Sequence, residues 1–322
     1  MHHILAADIG GTNSRFAYFT ADTHKKLSLR TSVWLVTQDT RSFADLLAQL
    51  KSSDFSLPLS EANIAVFAVA GPVEKGTYSK PPNIPWDIDL SGTCREFGLG
   101  QYVLINDFVA QAFACRSPII DSALQIIPGK IDLTAPLVVI GAGTGLGQAA
   151  LIPQPSGGHV ALASEGGHAS FPFETGAEFK YMKFLTGEIR EPYVRSDTVV
   201  SGKGLSLVHQ FLTGKKLQPA EVAAELGEDH DSLKWMARFY GRICRNFALQ
   251  TLAFGGVYIA GGVAAKTPKL VMHPEFKREF RSSETMGHVL AKIPVLLNSN
   301  QESGLWGAAL QGVELLRETA SI

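Results

Sequence analysis

Two glycine turns, each set between apolar runs of strand character, constrain this chain more than any other feature of its sequence. The first, Gly10-Gly11-Thr12-Asn13, joins residues 4–8 to 15–19, and the second, Gly141-Ala142-Gly143-Thr144-Gly145-Leu146-Gly147, joins residues 137–140 to 148–152. Glycines between two β-type runs read as tight hairpins. Gly11-Thr12 and Gly143-Thr144 hold equivalent places 132 residues apart, too long a period for a solenoid, which suggests a duplicated domain with one hairpin in each copy. A third pair, Gly261-Gly262, follows the short strand-like run 257–260. Glycine lacks Cβ and lets backbone N–H groups converge on an anion, so such turns suit phosphate. Any one of them could equally be a hairpin without a ligand. Their joint occurrence points to a nucleotide. The dinucleotide fingerprint is missed at Gly141, Gly143 and Leu146, no G-x-x-x-x-G-K-[ST] exists, and Lys203 in Ser201-Gly202-Lys203-Gly204 is no P-loop lysine.

Between these turns, strand and helix signals interleave, which favours an α/β architecture with helix-covered sheets. A third strand is expected near residues 33–36. Asp39 is placed to cap a helix with Phe43, Leu46, Leu47 and Leu50 on one face. Residues 64–69 read as a buried strand ending at Gly71-Pro72, and residues 102–105 as a strand ending in Asn106-Asp107 before the helical run 108–114. The longest helical pattern covers residues 231–254 and stops at Gly255-Gly256, and residues 303–317 read as a closing helix. A length of 322 residues leaves room for two lobes with a cleft between them. We expect a small α/β domain from residues 1–115 plus 301–322 and a large one from 116–300.

Composition removes several function classes. With 29 basic against 30 acidic residues, and Lys and Arg scattered, there is no basic stripe to attract nucleic acid. No apolar run approaches membrane-spanning length, and the run 4–7 is too short for the hydrophobic region of a signal peptide. The three cysteines, Cys94, Cys115 and Cys244, lie far apart without metal-ligand spacing and are expected to be reduced and buried. A cytoplasmic protein is the resulting expectation.

The ordered set of motifs resembles the bacterial glucokinases of the hexokinase, Hsp70 and actin ATPase superfamily over nearly the whole chain. Asp8-Ile9-Gly10-Gly11-Thr12-Asn13 matches that family's first phosphate motif and Gly141 to Gly147 the second. Gly255-Gly256-Val257-Tyr258-Ile259-Ala260-Gly261-Gly262 matches the adenosine motif. Connecting segments are matched by Ala68-Val69-Ala70-Gly71-Pro72 and Gly304-Leu305-Trp306-Gly307-Ala308. The sugar side is matched by Asn83 with Trp86, by Ile105-Asn106-Asp107 and by Glu165-Gly166-Gly167-His168. The resemblance implies a two-lobed, actin-like ATPase fold of the duplicated ribonuclease H type with a central cleft. It implies ATP-dependent phosphorylation of glucose at the 6-hydroxyl, as in the first step of glycolysis, in a homodimer. On it, Asp107 would be the catalytic base. Asn83, Asn106, Gly145, Glu165, His168 and Asp197 would join Asp107 in binding the sugar. Asp8, Gly10, Gly11, Thr12, Asn13, Gly143, Thr144, Gly261 and Gly262 would bind ATP, and Asp8 would hold Mg2+ through water.

Each residue type fits its implied task. A sugar hydroxyl both donates and accepts, so a ring of carboxylates, amides and imidazole satisfies it. A carboxylate that takes the hydroxyl proton makes a competent nucleophile toward the γ-phosphorus. Simpler readings stand beside these: Asn106-Asp107 as a helix N-cap, and Glu165 with His168 as a surface pair. A kinase of another hexose or amino sugar is the nearer rival, and an actin- or Hsp70-like ATPase without a sugar substrate the more distant one. A sugar-kinase-like repressor would need a helix-turn-helix ahead of Asp8, where there is no room.

At one position the chain departs from the resemblance: Asp197 stands where a glutamate usually precedes the Ser-Gly-x-Gly-Leu segment, here Ser201 to Leu205. The shorter carboxylate predicts weakened rather than lost glucose use, or admission of a 2-substituted or epimeric sugar. Asp197→Glu is expected to lower the KM for glucose by about fivefold, on the order of 1 kcal/mol of hydrogen bonding. Steady-state kinetics across a hexose panel checks this, and an unchanged KM and sugar preference would refute it.

Overall fold

A computed structural model describes residues 1–22 and 26–320. The first glycine turn closes the expected hairpin. β1 (His2–Ile9) runs antiparallel to β2 (Asn13–Ala21), with Asp8 opposite Arg15 and Ile9 opposite Ser14. β2 pairs in turn with β3 (Leu27–Val36), which is longer than the run 33–36 suggested because its alternating exposure continues back to Leu29 and its pairing with β2 to Leu27. The helix α1 (Phe43–Ser52) buries Phe43, Leu46, Leu47 and Leu50 as the periodicity requires. Its cap corrects the sequence reading: Ser42, not Asp39, accepts the Asp45 N–H. Asp39 is held in a 3-10 turn, Thr37–Asp39, whose Thr37 N–H donates to the Thr12 carbonyl, so the helix starts only after the chain leaves that turn.

β4 (Ile64–Val69) is buried at every residue, as expected of a parallel strand covered on both faces. The short hairpin of β5 (Tyr78–Ser79) and β6 (Ile88–Asp89) precedes α2 (Leu90–Glu96), and β7 (Tyr102–Asn106) leads directly into α3 (Asp107–Ala114). The first sheet has the order β3-β2-β1-β4-β7, with β1, β4 and β7 parallel.

Onward from there come β8 (Leu124–Ile127), β9 (Leu137–Ala142), β10 (Leu146–Pro153) and β11 (His159–Ser164). The helices α4 (Gly176–Glu188), α5 (Ser196–Val199), α6 (Gly202–Thr213), α7 (Pro219–Glu225) and α8 (Asp231–Thr251) follow. After β12 (Val257–Ala260) come α9 (Gly262–Lys266), α10 (Lys269–Met272), α11 (Pro274–Phe280) and α12 (Gly287–Leu290), then β13 (Val295–Leu297) and α13 (Ser303–Ala320). Contacts divide the chain into two compact units. One holds Met1–Asp121, Gln154–Ala163 and Asn300–Ile322; the other holds Ser122–Pro153 and Ser164–Ser299. Within the second unit the strands lie in the order β10-β9-β12-β13-β8.

The long helical pattern corresponds to α8, which ends earlier than its glycines suggested. Leu252 takes a left-handed conformation with φ 49° and its N–H returns to the Ala248 carbonyl, so the helix is closed before Gly255-Gly256 is reached. Arg242, on the buried face of α8, is 1% exposed and sits between Glu178 and Glu279, at 2.6 and 2.8 Å. Burial alone would raise the Glu178 carboxyl, but hydrogen bonds from Arg242 and from the Glu174 N–H hold it below its ordinary value. A buried charge retained in this way needs its partners. Cys94, Cys115 and Cys244 are buried free thiols, and burial pushes Cys94 up to about 12. No helix among the described residues is long and apolar enough to cross a membrane.

In the first unit, α13 packs on β1, β4 and α3. At its crossing with α3, Gly307 lies so close to the Ala110 carbonyl that a Cβ would overlap it. Gly307→Ala is therefore expected to destabilise the fold by about 2–3 kcal/mol through overpacking. Thermal denaturation should show this as a Tm lowered by about 3–5 °C.

Candidate functional site

Parallel pairing sets the level at which each strand of the first unit ends. Ile9 is opposite Val69 and Val69 opposite Asn106, so the Gly10–Asn13 turn, the Gly71-Pro72 turn and the start of α3 leave one edge of the sheet side by side. At that edge the Gly10 N–H donates to the Asn13 carbonyl at 3.1 Å. A Cβ on Gly11 would lie 2.5 Å from the Asn83 carbonyl oxygen, so only glycine lets the Asn83 loop close on this turn. The same loop is anchored by Trp86, whose Nε1 donates to the Thr40 carbonyl at 3.1 Å. Asn83, taken from sequence as a sugar ligand, thus lies directly against Gly10 to Asn13, taken as phosphate ligands.

Asn106 shows that the capping reading and the binding reading are compatible. Its Oδ1 accepts the Phe108 N–H at 2.9 Å as the N-cap of α3, and its Nδ2 donates to the Gly71 carbonyl at 3.0 Å. An amide has two donors and more than one acceptor lone pair, so these bonds fix its orientation without exhausting it. Asp107 follows as the first residue of α3, half-buried, with Oδ1 accepting the Phe108 N–H at 3.0 Å.

Asp8 lies one residue before the end of β1. Burial pushes its carboxyl above the ordinary range, and the Arg15 guanidinium pulls it part of the way back. A Cβ on Gly304, at the start of α13, would lie 2.8 Å from Asp8 Oδ2. Arg15 itself donates to the Gln301 carbonyl and covers Trp34 at 4.0 Å. Among the described residues no cluster of three metal-ligating side chains exists, so side chains alone do not make a closed metal site here. That arrangement fits an ion carried on phosphates and reached through water, as magnesium commonly is.

The second unit repeats the arrangement at its own sheet. β9 pairs parallel with β12, Gly141 opposite Ala260, so Gly143-Thr144 and Gly261-Gly262 emerge at a common edge. Gly143 N–H donates to the Gly145 carbonyl at 2.8 Å, and the Gly143 carbonyl accepts the Gly202 N–H at 2.9 Å. Gly261 has φ 85°, and a Cβ would lie 2.6 Å from the Ala142 carbonyl, so both conformation and space demand glycine. Gly166 and Gly167 leave no room for a Cβ against Gln148 and Leu146, which presses the Glu165–His168 turn flat on β10. Glu165 Oε2 and His168 Nδ1 pair at 3.2 Å with about half of each side chain exposed, so the surface pair foreseen in the sequence does form. Asp197 Oδ2 faces Gly145, 3.8 Å from where its Cβ would be. A cavity of about 450 Å3 opens beside these residues, lined by Thr144, Glu191, Arg195, Asp197, Ser201 and Lys203 among others.

The glucokinase family profile matches residues 5–314. A glucokinase of Nostoc sp. is 33% identical, over 97% of this chain and 99% of its own. The glucokinase of Chromobacterium violaceum is 34% identical, over 95% of this chain and 88% of its own. The chain belongs to the glucokinase family. Among solved structures, the glucokinase of an Antarctic psychrotroph superposes with a TM-score of 0.83 at 28% identity, covering 97% of this chain and 98% of that one. The actin-like α/β fold that the resemblance implies is therefore the fold of this glucokinase-family chain.

Some contributors in this family member carried no sequence signal that sets them apart. Tyr240, legible only as a buried position of α8, accepts the Ala142 N–H at 3.1 Å and so supports the end of β9. Tyr193 donates to the His168 carbonyl at 3.0 Å, and Arg195 lies 3.2 Å from Asp197.

The raised Asp8 carboxyl has a stability consequence. The folded chain holds a proton that the unfolded chain would release, so this contribution is present at low pH and is lost as pH rises from the ordinary carboxylate range through the raised value. Asp8→Asn is expected to melt at or above the wild type at neutral pH, with the difference shrinking as the buffer is made acidic. Calorimetry of the ligand-free proteins across pH tests this; a variant less stable at neutral pH would contradict it.

Proposed function

We propose that this chain transfers the γ-phosphoryl group of ATP to the 6-hydroxyl of glucose, giving glucose 6-phosphate and ADP. The observation that carries this reading is the register of the first sheet, which delivers the Asp107 carboxylate to the same edge as the Gly10–Asn13 turn and the Asn83 loop. A general base and a phosphate cradle at one strand edge suit phosphoryl transfer to a hydroxyl, and a plain ATPase has no need of the Asn106-Asp107 and Glu165/His168 cluster. The name shared by the relatives, glucokinase, supports glucose as the acceptor.

In this mechanism Asp107 accepts the proton of the 6-hydroxyl as that oxygen attacks the γ-phosphorus. The bond from phosphorus to the bridging oxygen breaks and ADP leaves with the electron pair. Asn106, pinned by Phe108 and Gly71, keeps Asp107 at the helix start and offers its remaining amide capacity to the sugar. Asn83, Gly145, Glu165, His168 and Asp197 supply the other hydroxyl partners. Thr12, Gly143 and Thr144 donate to phosphate oxygens, assisted by the turns at Gly10, Gly11 and Asn13, while Gly261 and Gly262 allow close approach of the adenosine. Asp8 would hold a magnesium ion through water, and the ion would supply neutralisation of the charge developing on the phosphates. Buried, unpaired cysteines suit a reducing cytoplasm, where ATP is available.

Asp107→Asn is expected to keep sugar binding, with kcat reduced by about 10²–10⁴ for loss of a general base. ADP release measured with ATP, magnesium and glucose, mannose, fructose, glucosamine, N-acetylglucosamine or N-acetylmannosamine tests the whole assignment, with a no-sugar control. Glucose as the clear best acceptor is the expected result. Preference for an amino sugar would reassign the substrate, ADP release indifferent to every sugar would overturn the kinase, and wild-type kcat in Asp107→Asn would remove Asp107 from its role.

A further inference from the structure

We infer that Arg195 is a positioning residue for Asp197: it fixes one carboxylate oxygen and leaves the other to the sugar. The inference rests on the reading of Asp197 as a hydroxyl partner, and every contact that carries it lies within the second unit.

The backbone on which Arg195 stands is fastened to the strand of chain that leaves His168. Ser170 and Arg195 form an antiparallel bridge, Ser196 N–H donates to the Ala169 carbonyl at 2.8 Å, and Tyr193 Oη donates to the His168 carbonyl at 3.0 Å. Arg195 is further held at its own carbonyl, which accepts the Thr198 N–H at 3.1 Å. The guanidinium is bracketed by two acids, with Nη1 3.4 Å from Glu191 Oε1 and Nε 3.2 Å from Asp197 Oδ1. Nε is buried and makes no hydrogen bond, so the contact with Asp197 is a charge attraction rather than a hydrogen bond.

Asp197 is asymmetric as a result. Oδ1 has the Arg195 charge and the Thr198 hydroxyl at 3.4 Å, whereas Oδ2 is turned toward Gly145 beside the cavity. An isolated aspartate rotates broadly about its terminal torsion and presents either oxygen. A polyol hydroxyl needs a lone pair at a fixed place, and ordering the acceptor before the sugar arrives removes a cost from binding. Arg195 supplies that order without reaching the sugar, so its effect passes entirely through Asp197. The short side chain at position 197 makes the arrangement workable, because a guanidinium at 3.2 Å has only two side-chain torsions to restrain.

The test is a double-mutant cycle of Arg195→Gln and Asp197→Ala in the full chain, read by glucose KM, ATP KM, kcat and Tm. Arg195→Gln is expected to raise the glucose KM about tenfold, the scale of one weakened charged hydrogen bond. The change in kcat should stay below about twofold, as for loss of uniform binding, and the ATP KM should not move. In the Asp197→Ala background the same substitution should leave the glucose KM where it is. Arg195→Lys, which keeps the charge and is the gentler change for folding, should give a KM between wild type and Arg195→Gln. Full additivity of the two substitutions, or an unchanged KM in Arg195→Gln, would overturn the inference while sugar phosphorylation stands. A wild type that phosphorylates no sugar would instead remove the functional reading and this inference together.

Discussion

Parallel pairing of β1, β4 and β7 is the constraint on which the first unit's chemistry depends. Hydrogen bonds between parallel strands fix not only which strands are neighbours but where each one stops, and the pairing of Ile9 with Val69 and of Val69 with Asn106 aligns three stops. Whatever follows those residues is delivered to one place. A slip of β7 by one residue would carry Asp107 to the opposite face of the sheet, so the register protects the site.

Both units then use glycine at those stops for close approach more than for flexibility. Gly11 admits the Asn83 loop, Gly261 admits the end of β9, and Gly166-Gly167 admit β10. In each case the missing Cβ brings backbone or side chains from a distant stretch of sequence against a phosphate-type turn. The polar residues are placed by backbone contacts rather than by one another: Asn106 by Phe108 and Gly71, His168 by Tyr193, the Asn83 loop by Trp86 and Thr40.

Much of this was legible in the sequence, and for identifiable reasons. Strand-glycine-strand signals are local, so β1, β2, β9 and β10 could be read with their turns, and the face of α1 followed from four leucine and phenylalanine positions at helical spacing. Boundaries that depend on non-local bonds were not legible. Asp39 looked like a cap but is diverted by the Thr12 carbonyl, and α8 closes at Leu252, a residue type that rarely takes positive φ. Among site residues, those carried by compact motifs could be nominated from order alone. Tyr193 and Tyr240 could not, because their partners are set by packing between segments that the sequence does not align, and Arg195, although two positions from Asp197, belongs to no motif.

The approach of Asn83 to Gly11 ties two positions seventy-odd residues apart into a single steric unit. Neither can drift alone. A side chain at position 11 would displace the loop, and a displaced loop would leave that turn without its cover. Variation in acceptor preference along this lineage is therefore expected to arise on the second unit's surfaces, around Glu165, His168 and Asp197, where side chains meet solvent or one another and can be exchanged without unseating a phosphate turn. Libraries built to redirect the sugar would do best to leave the Gly11 and Asn83 pair untouched and diversify there.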